Sequence, residues 1–416
     1  MKQLLLRTNA QAGVPAARPL QGGIQGPIQV PIQGPPQRAT LRLLTFSTLY
    51  PNPAQPSHGV FVENRLRHLL ASGDVEATVL APVPWFPGRS VNVPAMELRH
   101  GITVHHPRFL ALPGLGMFTN PTALFLVARR VLARLLREGG VFDAIDAHYL
   151  FPDGAAAIRL GREFGLPVVV TARGSDTSLL PQYRWPRRLI QGTLTQADGV
   201  IAVSAGLKQG LVGLGAAPAK VAVLRNGVDL SMFKPPAARM TSGATRLLSV
   251  GLLIPRKGHD IIIRALPMLP EVVLTIIGEG PEHAALTHLA NSLGVAGRVH
   301  LLGAKPHHTL PGHYGAADIL VLASSREGWA NVLLEAMACG TPVIASPAWG
   351  SREAVSSPAA GLVLDETTPE AIAAAVLRLQ AAPPDRAATR AHAEGFSWEA
   401  TTAGQLALFR TVLRAQ

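Results

Sequence analysis

The sequence predicts an α/β fold in which two doubly wound parallel sheets follow one another along the chain and face each other across a cleft. Short apolar runs rich in β-branched residues alternate with longer stretches at helical spacing. Continuous apolar strands of this kind are typical of parallel sheets that helices cover on both faces. The alternation stops near Pro235 and Pro236 and then restarts, and 416 residues are enough for two domains. We therefore predict two Rossmann-like domains in tandem.

Residues 1–38 are expected to lie outside both domains. Residues 11–38 are rich in Pro, Gly and Gln, with a loose QGPIQ-like recurrence and neither helical nor strand periodicity. A segment of this composition buries too little apolar surface to fold. We therefore predict a disordered extension over residues 1–38.

The predicted N-terminal domain covers residues 39–232. Its strand candidates are LRLLTFS, ATVLAP, ITVHHP, FDAIDAH, PVVVTA, GVIAVS and VAVLRN, and its helix candidates are VENRLRHLLAS, ALFLVARRVLARLL and DGAAAIRLGREF. The predicted C-terminal domain covers residues 233–396. Its strand candidates are RLLSVGLL, VVLTIIG, VHLLG, ILVLAS, PVIAS and GLVLD, with DIIIRALPML, HAALTHLANSLG, NVLLEAMAC and AIAAAVLRLQ as helices. Residues 397–416 predict an amphipathic helix that packs back on the N-terminal domain.

Charge and hydropathy restrict the partners. The net charge of +12 comes mostly from Arg, 32 of 38 basic residues, in a chain rich in Ala, Gly and Pro. This is the composition of a GC-rich genome, so no nucleic-acid partner is predicted. Residues 128–138 and 184–188 place cations beside apolar positions at helical spacing. They are either peripheral contacts with an anionic membrane or surface helices whose Arg stems cover the core.

The sequence favours a cytoplasmic protein, with attachment to the cytoplasmic face of a membrane as an open alternative. No apolar run approaches the roughly 18 to 20 residues of a membrane span, and residues 1–7 lack a secretory-signal pattern. The one cysteine, Cys339, excludes an intramolecular disulfide and is interpreted as a core residue.

A basic turn in the second domain predicts an anion site. Gly251 and Gly258 bracket Arg256 and Lys257, directly before a helix that begins at His259. Two cations beside free backbone N–H groups suit a phosphate or a diphosphate. The alternative is a solvated turn with incidental charges.

The segment EGWANVLLEAMACGTPV, residues 327–343, carries two acids separated by seven residues. Glu327 is expected in a loop, and Glu335 about one turn into a helix that begins near Asn331. A diphosphate at the N–H groups near Asn331 and Val332 would leave each acid to bind hydroxyls on one side of it, as in a nucleotide sugar. Alternatively, both acids only stabilise the helix. Trp329 either stacks on a ligand or packs the loop.

These motifs closely resemble family 4 of the glycosyltransferases, which are retaining enzymes of the GT-B fold. The resemblance spans residues 40–416 and includes YPNPAQPSHGVFVENRLRHL (50–69), DAHYLFPDG (146–154), TARGSD (171–176), ADGVIAVS (197–204), NGVD (226–229) and IIGEGPE (276–282). It implies a hexosyltransferase-type enzyme (EC 2.4) that moves a sugar from a nucleotide-diphosphate sugar to a saccharide or lipid-linked saccharide acceptor. The opening segment is similar to that of bacterial enzymes that build surface polysaccharides.

The resemblance also implies roles for individual residues. Arg256 and Lys257 match the pair that neutralises the donor diphosphate, Glu335 matches the acid that holds the ribose, and Glu327 matches the acid at the sugar. His148 matches a histidine that lies against the sugar, although the sequence alone favours a structural role for a lone histidine at a strand end. The remaining implied donor contacts are Gly59, Arg173, Asp176, Gly251, Gly328, Asn331 and Val332. Arg173 and Asp176 have a structural role as their alternative, and SHG stands where the family has a Gly-Gly pair.

The implied reaction needs stabilised charge on the leaving diphosphate, which fixed cations and a helix N-terminus supply. No Asp-x-Asp motif is present, so we expect neither a metal ion nor another cofactor. Besides Glu327, no carboxylate is an obvious nucleophile. The favoured mechanism is therefore one in which the diphosphate departs from, and the acceptor attacks, the same face of the donor sugar. The alternatives are a sugar-nucleotide epimerase of the same fold and a non-catalytic nucleotide-sugar-binding protein.

Overall fold

The computed structural model describes residues 40–88, 92–237 and 243–415, so the predicted extension over residues 1–38 lies outside the described residues. We use "N-terminal half" for residues 40–232 and "C-terminal half" for residues 233–396. Each half is built on one large sheet. No helix in the described ranges combines the length and the apolar character that a membrane crossing requires.

The N-terminal half contains an eight-stranded sheet in the order β10-β9-β8-β7-β1-β2-β5-β4 and a separate pair, β3 and β6. Its strands are β1 Leu41–Phe46, β2 Val75–Leu80, β3 Val83–Trp85, β4 Met96–Arg99, β5 Ile102–His105, β6 Arg108–Leu110, β7 Ala144–His148, β8 Val168–Ala172, β9 Gly199–Ala202 and β10 Val221–Val223. Its helices are α1 Val60–Leu70, α2 Gly116–Arg137, α3 Ala155–Phe164, α4 Ser175–Ser178, α5 Arg184–Gln196 and α6 Ala205–Gly213. All paired strands are parallel except β4 with β5.

The C-terminal half contains a six-stranded, fully parallel sheet in the order β13-β12-β11-β14-β15-β16. Its strands are β11 Thr245–Val250, β12 Val272–Ile277, β13 Val299–Leu301, β14 Ile319–Leu322, β15 Val343–Ala345 and β16 Gly361–Val363. Its helices are α7 His259–Ala265, α8 His283–Ser292, α9 Leu310–Ala316, α10 Asn331–Ala338, α11 Ser351–Ala354, α12 Pro369–Ala381 and α13 Arg386–Glu394. The predicted fold class, two Rossmann-like parallel sheets, is confirmed.

The last helix, α14 Trp398–Arg414, returns to the N-terminal half. Its apolar residues Leu406, Phe409 and Val412 belong to one buried cluster with residues of β1, β8 and β9, including Leu43 and Val169. Burial of this apolar stripe is the main stabilising term for the contact.

Close contacts at the carboxyl ends of the strands help to hold the halves together. Gly328 lies so close to the other half that an added Cβ would stand 2.3 Å from the carbonyl oxygen of Arg173. The carboxylate of Glu353 accepts hydrogen bonds from the N–H groups of Ala205 (2.7 Å) and Gly206 (3.1 Å), at the start of α6. Because the facing strands end at this junction, the loops that follow them meet there.

Candidate active site

A cavity of about 510 Å³ lies between the two halves, at the carboxyl ends of their strands. Loops after β1, β7 and β8 line it from one side, and loops after β11 and β14 from the other. Eight of the predicted site residues line it: Arg173, Gly251, Arg256, Lys257, Glu327, Gly328, Asn331 and Val332. Four do not: Gly59, His148, Asp176 and Glu335.

The basic turn after β11 is tied to the loop that precedes α10. One guanidinium nitrogen of Arg256 donates to the carbonyl of Arg326 at 3.1 Å, and the carbonyl of Arg256 accepts from the N–H of Ser325 at 2.9 Å. The turn ends at Gly258, which has φ +65° and whose Cβ would stand 2.3 Å from the carbonyl oxygen of Ala323. Only glycine fits there, because it tolerates this φ and has no side chain. The contact fixes both cations beside the start of α10.

Lys257 and Glu327 form an ion pair inside the cavity, with the ammonium nitrogen 2.5 Å from the carboxylate. Nearby, His259 bonds Ser249 Oγ at 3.0 Å and the carbonyl of Leu252 at 3.3 Å. Burial lowers the pKa of His259 to about 4, so the imidazole is neutral near pH 7. It therefore stabilises the loop after β11 without adding charge.

Helix α10 begins at Asn331, as predicted, and its first residues line the cavity. Its N-cap, Ala330, makes no side-chain capping bond. The N–H groups of the first turn of an uncapped helix are available to an anion, and the helix dipole favours negative charge there. The turn that carries Arg256 and Lys257 faces the same cavity.

Glu335 lies beside a different, adjoining cavity from Glu327, and the prediction that both acids contact one ligand stays a prediction. Its carboxylate accepts from the Tyr314 hydroxyl at 2.7 Å and contacts His307 Nε2 at 3.1 Å, beside a cavity of about 170 Å³. Burial lowers the pKa of His307, but the hydrogen bond and the charge of Glu335 outweigh it, and the pKa is raised. Asn331 lines both cavities, so they adjoin at the start of α10.

His148 is buried behind the cavity wall, at 1% exposure, and its predicted contact with a sugar stays a prediction. Its Nε2 lies 3.2 Å from Asp146 Oδ2, and its Nδ1 lies 2.6 Å from a guanidinium nitrogen of Arg173. A guanidinium only donates, so Nδ1 accepts and Nε2 carries the proton towards Asp146. Burial lowers the pKa of His148, which keeps the ring neutral. His148 therefore reaches the cavity only through Arg173.

Arg173 lines the cavity between His148 and the segment that connects the halves. Its guanidinium donates to Asn226 Oδ1 at 3.3 Å and lies 5.0 Å from the centre of the Phe61 ring. Burial, and then the charge of Arg65, lower its pKa to about 9. The side chain is thus a partly buried cation that hydrogen bonds hold at the cavity wall.

Asn226 connects the two halves, a role that the motif NGVD did not predict. Besides Arg173, its Oδ1 accepts from Arg65 at 3.4 Å. Its Nδ2 donates to Asn331 Oδ1 at 3.2 Å, and its carbonyl accepts from Trp329 Nε1 at 3.1 Å. The network therefore runs from the first sheet to the first residue of α10.

The contacts of Asp176 support the structural alternative, and its donor contact stays a prediction. Its carboxylate is fully buried and accepts backbone hydrogen bonds from Leu150 (2.9 Å), Arg173 (3.1 Å) and Gly174 (2.7 Å). Burial raises its pKa. Asp176 thus orders the loops after β7 and β8 without facing the cavity.

Gly59 is required by packing and does not itself line the cavity. It caps α1 with φ +70°, and a Cβ there would stand 2.3 Å from the backbone of Leu49. Ser57 and Phe61 on either side of it line the cavity. The loop therefore approaches the cavity through Ser57 and Phe61, and not through Gly59 itself.

Tyr149 also reaches the cavity, without a signal in the sequence. Tyr149 lines it with φ +86°, unusual for a residue with a side chain, and its hydroxyl lies 2.5 Å from Ser175 Oγ. Trp329 lines the cavity but is largely packed.

Cys339 is a core residue, as predicted, and burial raises its pKa to about 12. Within the described ranges, no cluster of His, Cys, Asp and Glu is arranged to hold a metal ion.

Comparisons with known proteins extend over both halves. Residues 58–232 match the family described as Glycosyltransferase Family 4, and residues 236–395 match the family described as Glycosyl transferases group 1. The D-inositol 3-phosphate glycosyltransferases of Mycobacterium bovis and Mycobacterium tuberculosis are 30% identical to this chain over 414 residues, covering 91% of this chain and 84% of each relative.

Solved structures share the fold. Sucrose-phosphate synthase from Thermosynechococcus elongatus superimposes with a TM-score of 0.78 at 21% identity, covering 90% of this chain and 100% of that one. Anabaena HepE in complex with UDP and glucose superimposes with a TM-score of 0.68 at 18% identity, covering 90% and 100%. About 90% of this chain therefore corresponds to one known two-sheet architecture.

Proposed function

This chain belongs to glycosyltransferase family 4 and has the GT-B fold, and we propose that it is a retaining glycosyltransferase. In this proposal it transfers a hexosyl group from a nucleotide-diphosphate sugar to a saccharide or lipid-linked saccharide acceptor. The reaction uses neither a metal ion nor another cofactor. We place the enzyme in the bacterial cytoplasm, in the synthesis of surface polysaccharide.

One observation carries the proposal: Arg256, Lys257 and the uncapped start of α10 converge on the cavity between the halves. Fixed positive groups of this kind stabilise the charge that develops on a leaving diphosphate. Among the structural relatives, HepE was solved with UDP and glucose. A nucleotide sugar bound in the cavity of this chain would place its diphosphate against the start of α10.

The two acids have separate roles in this proposal. Glu327 is paired with Lys257, and a diphosphate that attracts the ammonium group leaves the carboxylate to bind hydroxyls of the sugar. Glu335 holds the ribose from the adjoining cavity, past Asn331. His148 acts through Arg173, whose position it fixes.

Transfer with retention proceeds by a substitution in which the leaving group departs from, and the acceptor attacks, the same face of the sugar. The bond from the anomeric carbon to the diphosphate oxygen breaks, and its electron pair passes to the diphosphate. The acceptor hydroxyl oxygen bonds the anomeric carbon from the same face, and its proton passes to the departing phosphate oxygen. Arg256 and Lys257 stabilise the leaving group throughout.

The test begins with the purified full-length protein and a panel of nucleotide sugars, and one of them is expected to raise Tm. With that donor, an acceptor should greatly accelerate the release of nucleoside diphosphate, and NMR of the product should show the donor's anomeric configuration. Activity should persist in EDTA. No stabilisation by any nucleotide sugar, an inverted product, or loss of activity in EDTA would each contradict the corresponding part of the proposal.

The epimerase alternative gains no support from the relatives, which are named as transferases and synthases. The same assay separates the two: an epimerase converts the nucleotide sugar without any acceptor.

A further inference from the structure

A buried residue of the last helix is polar at a position where the helical pattern predicts an apolar one. Gln405 precedes Phe409 by four residues and Val412 by seven, so the three side chains share the face of α14 that packs on the first sheet. The side chain of Gln405 is 1% exposed. Burying an amide costs free energy unless hydrogen bonds satisfy it. Burial of apolar surface therefore does not explain this residue.

The two ends of the Gln405 amide contact opposite charges. Its oxygen accepts from Arg65 Nε of α1 at 3.0 Å, and its nitrogen donates to Asp146 Oδ2 of β7 at 3.4 Å. A guanidinium group only donates, so the amide oxygen must face Arg65 and the amide nitrogen must face Asp146. Within the described ranges, Arg65 has no carboxylate at ion-pair distance. Gln405 is thus a neutral spacer between a buried cation and a buried anion.

Asp146 is also the partner of the buried histidine behind the cavity wall. The oxygen that accepts from Gln405 lies 3.2 Å from His148 Nε2. This contact keeps the imidazole proton on Nε2, so that Nδ1 can accept from Arg173 at 2.6 Å. Since Arg173 lines the cavity, a chain of hydrogen bonds leads from the last helix to the cavity wall.

The charges around His148 indicate why a spacer is needed. They belong to Asp146, Arg173 and Arg65. One guanidinium nitrogen of Arg65, Nη2, is buried without a hydrogen-bond partner in the described part of the chain. Without the Gln405 amide, the carboxylate of Asp146 would be drawn to Arg65 and would release His148 Nε2. The imidazole would then no longer be held as an acceptor for Arg173.

We propose that Gln405 is a positioning residue for the active site, because it occupies Arg65 and thereby reserves Asp146 for His148. His148 in turn sets the position of Arg173, on the side of the cavity opposite the basic turn. This inference rests on the proposed transfer function for its effect on turnover. The diphosphate contacts lie in the other half, so substitution of Gln405 should impair transfer and spare the binding of nucleoside diphosphate.

Two variants separate a positioning role from a merely structural one. Gln405→Glu keeps an acceptor for Arg65 but puts a second carboxylate in place of the donor to Asp146, whereas Gln405→Met removes both bonds. Each should lower kcat about tenfold to a hundredfold, since misplacing a group at a reacting centre by about 1 Å has an effect of that order. The Kd for nucleoside diphosphate, measured calorimetrically, should remain that of the wild type.

Gln380 provides the matched controls, because it is a glutamine of α12 whose side chain also donates a hydrogen bond, to Thr245 at 2.8 Å. Gln380→Glu and Gln380→Met should keep the wild-type kcat. Normal turnover in Gln405→Glu would overturn the inference, since that variant still satisfies Arg65. An equal loss of nucleoside diphosphate binding and turnover would also overturn it, by showing a general disturbance of the fold.

A double-mutant cycle tests the route through the histidine. If Gln405 acts through His148, adding Gln405→Glu to His148→Ala should lower kcat no further than His148→Ala does alone. Additive losses would show that the two residues act independently and would refute the proposed route.

Nitrogen NMR of the full-length protein labelled at histidine follows the same ring without any turnover. The resonance of the protonated Nε2 of His148, identified by its absence in His148→Ala, should shift in Gln405→Met and stay unchanged in Gln380→Met. An unchanged resonance in Gln405→Met contradicts the positioning role. Absence of transfer by the wild type, together with the expected shift, contradicts only the proposed function.

Discussion

The ammonium group of Lys257 lies 2.5 Å from the carboxylate of Glu327, and both side chains line the cavity between the two halves. The pair keeps each charge compensated in a partly buried site, where an unpaired charge is costly. A diphosphate supplies a second negative partner for Lys257. The pair therefore joins two parts of the proposed donor site that lie 70 positions apart in the chain.

Arg256→Ala and Lys257→Ala are each expected to lower kcat about 10²- to 10³-fold, because each removes one fixed cation from the leaving diphosphate. Initial rates of nucleoside diphosphate release, with the acceptor present, measure the effect. Arg264→Ala, an exposed position on α7, is the matched control and should retain activity. Near-normal turnover in both cavity variants would refute the assigned roles.

Gly328→Ala is expected to separate the halves at the cavity, because its Cβ would stand 2.3 Å from the carbonyl oxygen of Arg173. The KM for the donor should rise, and small-angle scattering should show a larger radius of gyration. Gly213→Ala serves as control, since a Cβ there meets nothing within 4 Å. An unchanged KM and radius would show that the halves do not need this close approach.

Asn226→Ala is expected to destabilise the fold by about 1–3 kcal/mol, because the buried guanidinium group of Arg65 and the partly buried one of Arg173 lose an acceptor. Urea unfolding measures this loss. The donor KM should also rise, since Asn331 loses its partner. Asn291→Ala on the exposed side of α8 is the comparison, and an equal effect of the two substitutions would argue against a connecting role for Asn226.

The His307–Glu335 pair predicts a pH-dependent stability. The pKa of His307 is raised above its ordinary 6.5 in the folded chain. Its contribution to stability is therefore fully present below the unfolded pKa and is lost as the pH rises through the folded pKa. The Tm difference between the wild type and Glu335→Gln should thus be largest at mildly acid pH and should shrink above neutrality.

Calorimetric scans across that pH range measure this difference, with Glu366→Gln, an exposed acid, as the control. A Tm difference that does not change with pH would contradict the assigned coupling of His307 to Glu335.

Local sequence predicted most of the strands, the start of α10 and the basic turn, because each is encoded by neighbouring residues. Apolar runs identified β7 and β8, and the two glycines around Arg256 and Lys257 identified the turn. The edge strand β4 (MELR) was missed because it is short and its apolar residues, Met96 and Leu98, lie on the exposed side of the strand. The partners of His148 were not predictable, because its burial behind Arg173 depends on tertiary packing.

The placement of Glu335 shows the same limit. Spacing along α10 fixed its distance from Glu327 but not the direction in which its carboxylate points. That direction depends on Tyr314 and His307, more than twenty residues earlier in the chain. The connecting role of Asn226 was equally invisible, since each of its partners comes from a different segment.

The return of α14 to the first sheet has a consequence for biosynthesis. Leu406, Phe409 and Val412 complete the buried cluster around Leu43 and Val169, so the half that is translated first lacks part of its interior until the final segment emerges from the ribosome. A nascent chain therefore exposes an unfinished apolar face throughout translation of the second half. Loss of the last few turns through a premature stop codon would leave that face permanently open to aggregation.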